Sequence, residues 1–158
     1  MTSRFIDEGH PIYEFINSPI EVQCPRCGER ATLKHWGEGE PALHSPRRLA
    51  CPACGHVEDH DGTVLQFSPD GHDPCFGHLL WYRAETSKGV IWAYNREQLE
   101  ALRSFIGASL RERSAAPTWK NRSYFSRLPK WMKSAKNREW LKGEIDSMLS
   151  RRAKSHPL

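Results

Sequence analysis

Between Ile20 and Phe67 the apolar residues fall in short runs bounded by Cys, Gly or Pro: IEVQ (20–23), ATLKHW (31–36), RRLA (47–50) and TVLQF (63–67). Runs of this length between turn residues predict four strands, with Gly37, Gly39, Pro41 and Pro46 marking the loop between the middle two. Before them, residues 1–19 set Phe5, Ile6, Ile12, Tyr13, Phe15 and Ile16 around Pro11 and Pro19. That pattern is too broken for a long helix and predicts an arm docked on the rest. After them, SPDGHDPCFGH (68–78) is a turn-rich connector, and LLWYRAETSKGVIWAY (79–94) reads as a β-hairpin around Ser87-Lys88-Gly89. Asn95 stands where an N-cap belongs, with Gln98 three residues on. Leu99, Leu102, Ile106 and Leu110 follow at spacings of three and four, which predicts a helix over 96–113. Pro117 interrupts the pattern. Short helical turns are expected over 118–136, one opening with Pro129 at its first position, and a last helix over 138–152 with Leu141, Ile145, Met148 and Leu149 on one face. The fold class expected is α+β, with an arm (1–19), a strand-rich segment (20–67) and a hairpin and helical region (68–158) packed together as one unit.

A hydrophobic fraction of 38% in 158 residues is modest for one large core, so a metal staple would help. No apolar run approaches the roughly 18 residues of a membrane span, and MTSRFIDEGH lacks the layout of a secretory signal, so a cytoplasmic protein with no membrane partner is expected. Charge is divided along the chain: residues 1–80 hold 6 Lys/Arg against 12 Asp/Glu, and residues 81–158 hold 17 against 7. The halves therefore carry −6 and +10, and the basic half can meet nucleic acid, an acidic protein or the chain's own acidic half.

Four of the five cysteines sit in two copies of nearly one word, CPRCG (24–28) and CPACG (51–55), with 23 residues between Cys27 and Cys51. In Cys-x-x-Cys-Gly a tight turn brings two sulfurs to one point, backbone N–H groups donate to them, and Gly accepts the bend that follows. Two such turns give Cys24, Cys27, Cys51 and Cys54 as ligands of a structural Zn²⁺; an iron centre of rubredoxin type and a redox dithiol pair are the alternatives. Four thiolates leave no open position for water, so catalysis at this metal is not expected. The pattern Cys24, Pro25, Cys27, Gly28, Cys51, Pro52, Cys54, Gly55 resembles the zinc ribbons of transcription factor IIB and its relatives, which implies two knuckles at the tips of short hairpins clamping one ion. The rest of the chain, with LLWYRAETSKGVIWAYN, LRER and SRLPKWMKSAKNRE, looks like a group of bacterial zinc-ribbon-containing proteins, a resemblance that supplies no function. No internal repeat is expected beyond the cysteine word.

Other features compete for attention. His72, Cys75 and His78 have spacings compatible with a second metal, with His56, Asp59 and His60 as further ligands, against the plainer reading of a polar loop around a small buried Cys. Trp81, Tyr82, Trp92 and Tyr94 can form a stacking platform or a core, and a small hairpin needs them as core. RLPKWMKSAKNREWLK is the densest basic stretch, and Arg127, Lys130, Lys133, Lys136 and Arg138 are the candidate nucleic-acid contacts. A helix-turn-helix over 121–152 would need two clean helices that Pro129 interrupts. Phosphate-loop, Gly-x-Ser-x-Gly and His-Glu-x-x-His signatures are missing, so no enzyme is expected. The reading is a non-catalytic zinc-binding adaptor that contacts DNA or RNA. Its rivals are an inhibitor or immunity-type protein that binds another protein and, more remotely, an enzyme using the His/Cys-rich connector.

Overall fold

The structure, a computed structural model, describes residues 3–9, 11–113 and 124–151. Helices and antiparallel hairpins are mixed along the chain, as the α+β expectation requires. The strand-rich segment forms one four-stranded antiparallel sheet in sequence order: β2 (Ile20–Gln23), β3 (Arg30–His35), β4 (Arg47–Ala50) and β5 (Val57–His60). Ile20, Val22, Ala31, Leu33 and Leu49 point to one face and are buried, while Glu21, Lys34 and Arg48 between them face outward. The expected strand over 63–67 does not form, and Val64 and Phe67 are exposed. VEDH takes its place because the second cysteine turn reverses the chain at once: Cys51 N–H donates to His56 C=O, and the next residue, Val57, is already opposite Ala50. Register set by a turn overrides β propensity here.

The far edge of β2 is covered rather than left open. Val22 bridges Leu80, Gln23 N–H donates to Leu79 C=O and Trp81 N–H donates to Glu21 C=O. The chain then forms the expected hairpin, β6 (Tyr82–Thr86) and β7 (Gly89–Ala93), turning through Ser87 and Lys88. α2 (Arg96–Gly107) is capped as its sequence indicates, with Asn95 Oδ1 accepting from Gln98 N–H at 2.9 Å and Gln98 Oε1 accepting from Tyr94 N–H at 2.8 Å.

The helix stops six residues short of the expected 113. Gly107 closes it and Ala108 is extended, while Arg111 folds back so that its guanidinium donates to Phe105 C=O and Ile106 C=O, two carbonyls of the last turn. Leu110 therefore belongs to a strand, β8 (Leu110–Arg113), paired in parallel with β1 (Arg4–Asp7) from the arm, which also holds the one-turn helix α1 (Ile12–Ile16). Of the helical turns expected over 118–136, residues 118–123 lie outside those described. A 3-10 turn spans Phe125–Arg127, α3 spans Lys130–Lys133 with Pro129 one place earlier than expected, at the N-cap, and a 3-10 turn at Ala135–Asn137 leads into α4 (Arg138–Ser150).

Two apolar clusters result. One lies under the sheet and includes Ile20, Val22, Leu33, Leu49, Leu80 and Tyr94; the other joins the hairpin to α2 and α4 through Tyr82, Ile91, Leu102, Ile106, Leu141 and Ile145. Ile12 and Phe15 of α1 pack against both. Trp81, Tyr82 and Tyr94 are buried, as a core reading of the hairpin aromatics expects, whereas Trp92 is half-buried. Among the described residues no helix is long and apolar enough to cross a membrane.

Candidate metal centre

Each cysteine word folds as a knuckle at the tip of a hairpin. In the first, between β2 and β3, Cys24 N–H donates to Glu29 C=O at 2.7 Å and Gly28 N–H to Cys24 C=O at 2.9 Å; in the second, between β4 and β5, the equivalent bonds run from Cys51 to His56 and from Gly55 to Cys51, both 2.9 Å. Gly28 and Gly55 take φ of 80° and 78°, a left-handed conformation that side chains with a Cβ resist. The two knuckles face each other and bring all four sulfurs within 4.8 Å of one another. Cys24 Sγ lies 3.7 Å from Cys54 Sγ, and Cys27 Sγ 3.6 Å from Cys51 Sγ. A tetrahedron of about 2.3 Å Zn–S bonds has an edge of about 3.8 Å, so the donor set fits a tetrathiolate ion, and it is chemically suited to zinc.

The backbone prepares the sulfurs for charge. Burial raises the Cys24 thiol, but the N–H groups of Cys27 and Arg26 and the thiols of Cys54 and Cys51 outweigh it and hold the group at about 7. For Cys27 the Glu29 N–H lowers the thiol, yet burial and the other three sulfurs carry it to about 12. Four thiols this close cannot all ionise alone, and a divalent cation is what would let them. Cys24 and Cys51 are buried and Cys27 and Cys54 exposed, so the centre sits at the rim of the sheet.

No second metal-binding set gathers among the described residues. His72 Nδ1 lies by Ser68 Oγ, His78 Nε2 is 2.7 Å from Glu58 Oε2, and His56 Nε2 is 3.3 Å from the same oxygen. Glu58 is drawn below its ordinary range because the His78 and His56 interactions outweigh its burial. Cys75 is pushed up to about 11, chiefly by burial and with Asp73 adding to it against the opposing Arg47, which is the environment of an inert thiol.

The connector hides something the sequence reading missed, for DPCFG (73–77) is a third knuckle. Asp73 N–H donates to His78 C=O at 2.8 Å and Gly77 N–H to Asp73 C=O at 3.1 Å, the same two bonds as in the metal knuckles, and Gly77 has φ 77°. Asp73 stands where the first cysteine would be and Phe76 where the second would be. The Asp73 carboxylate, 1% exposed, accepts from Cys75 N–H, Phe76 N–H and His78 N–H at 2.9, 2.7 and 2.7 Å. In the first knuckle the corresponding amides of Arg26, Cys27 and Glu29 turn toward the sulfurs of Cys24 and Cys27. One carboxylate thus does the work of two thiolates, and the expectation of no repeat beyond the cysteine word is corrected. The signal was the shared Pro at the second position and Gly at the fifth. This third knuckle folds over the sheet's inner face, with Phe76 against His60 and His78 on Glu58.

The five candidate nucleic-acid contacts are spread along one stretch of short helices. Arg127 ends the 3-10 turn, Lys130 and Lys133 begin and end α3, Lys136 is in the next turn and Arg138 opens α4. Arg127, Lys130 and Lys136 are exposed, whereas Lys133 and Arg138 are half-buried and Lys133 Nζ donates to Ser126 C=O. Fold and site together define an α+β chain with a ribbon-type four-cysteine metal site. Comparison with known protein families, with curated proteins and with solved structures gives no match.

Proposed function

We propose that this is a non-catalytic, nucleic-acid-associated zinc protein, in which a structural Zn²⁺ on Cys24, Cys27, Cys51 and Cys54 orders the sheet and the C-terminal basic stretch contacts DNA or RNA. The observation that carries this reading is local: residues 124–138 hold five Lys/Arg and no Asp or Glu, and Arg127, Lys130 and Lys136 face solvent. Lysines and arginines on one surface bind phosphates by releasing condensed counterions. Lys133 and Arg138, being half-buried, shape that surface more than they extend it. A saturated tetrathiolate supplies folding energy and no open coordination site, in keeping with a scaffold.

The test is a salt series with labelled single- and double-stranded DNA and RNA, with zinc content measured on the same sample. Binding is expected to weaken steeply with salt, and to fall at least tenfold, about 1.4 kcal/mol or more, when Lys130 and Lys136 are both replaced by alanine. No binding at low salt by zinc-loaded protein would overturn the reading and favour a protein partner.

A further inference from the structure

Away from the metal, a groove of about 720 Å³ opens where the arm, the connector, the hairpin and the basic stretch meet. Five aromatic side chains are among its lining residues, Tyr13, Phe67, Trp92, Tyr94 and Tyr124, of which Tyr94 and Tyr124 are themselves buried. Tyr13 and Phe67 meet edge to face with centroids 5.8 Å apart, and they are 44% and 47% exposed, which makes them a contiguous pair of solvent-facing rings. Trp92 is fixed in the wall by its Nε1–H, which donates to Pro69 C=O at 2.9 Å. Among the described residues lining the groove Arg127 is the one that carries a charge, and the exposed Lys130 directly follows the lining Pro129 in the chain.

We propose that this groove takes the unpaired bases of a single-stranded nucleic acid, with Tyr13 and Phe67 stacking on them and Arg127 and Lys130 holding the flanking phosphates. The inference rests on the nucleic-acid reading above and adds which form of nucleic acid is bound and where. Three features carry it. Accessible ring faces accept any base, because every base has a π-face. Trp92, held in place through Pro69, adds a third, half-buried ring to the lining. Arg127 lines the groove and the exposed Lys130 follows the lining Pro129 in the chain, so a strand would run with its backbone toward the basic stretch and its bases toward the rings. Paired bases in a duplex present no open faces and cannot enter.

Fluorescence anisotropy of zinc-loaded full-length protein with three labelled probes tests this: an oligothymidylate of ten nucleotides, an abasic strand of the same length, and a duplex. The expected result is that oligothymidylate binds about tenfold or more tighter than the abasic strand, and that Tyr13→Ala and Phe67→Ala each remove about tenfold of that affinity while leaving circular dichroism unchanged. If the abasic strand or the duplex binds as well as oligothymidylate and both variants bind normally, the groove assignment is wrong while the nucleic-acid reading stands. If none of the probes binds at low salt, both fall together.

Discussion

Asp73 is the residue on which the third knuckle turns. A buried carboxylate that accepts three backbone N–H groups holds the loop shut without a metal, and its removal strands three donors. Asp73→Ala is expected to cost about 3 kcal/mol or more in urea unfolding, while Asp73→Asn, which keeps the oxygen serving Cys75 and Phe76, costs roughly half as much. Zinc content should be unchanged in both, since no metal ligand is touched. At this scale the metal site was legible because CPRCG and CPACG repeat their ligands. The third copy was not, since chemistry-bearing residues draw the eye and a knuckle whose cysteines are replaced keeps only Pro and Gly, residues that occur in any turn. His72, Cys75 and His78 looked like ligands for the same reason: their spacing reflects the knuckle's backbone and not a shared ion.

Elements are where pattern reading was strongest and also where it ran on too long. The α2 N-terminus was legible from Asn95 and Gln98, whose bonds form as their types predict. Its end was missed because Leu110 kept the helical spacing after Gly107, and a side chain four residues beyond the stop, Arg111, supplies the cap. Likewise TVLQF has the composition of a strand and VEDH does not, yet a turn places VEDH in the ladder. Between elements, α2 and α4 are tied by the Arg103–Asp146 ion pair. Arg103, through hydrogen bonding first and charge second, holds the Asp146 carboxyl below its ordinary 3.8. A carboxyl lowered on folding stabilises the native state above its unfolded value, and the contribution disappears as pH falls through the folded value. Acid titration of stability should therefore show a component lost below about pH 4 that is absent in Asp146→Asn.

For the whole molecule, the two clusters stand unequally toward the four cysteines. The sheet cluster is bounded by Cys24 and Cys51, whereas the hairpin and helix cluster contains no ligand. Chelation at pH 7 is expected to lower the unfolding midpoint and to speed hydrogen exchange first at Arg26 and Cys27, whose amides face the sulfurs. The Cys75 and Phe76 amides, held by Asp73, should stay slow; uniform acceleration, measured by mass spectrometry, would contradict that division. The parallel pairing of β1 with β8 has a consequence of another kind. Arg4 stands opposite Leu110, so this ladder closes a loop of more than a hundred residues, whereas each knuckle closes within six. Contacts that distant form slowly and only after nearer ones have shortened the effective loop. Residues 4–7 are synthesised long before their partners, so this ladder can close only once residues 110–113 have been made. The first strand in the described chain is thus completed by the last.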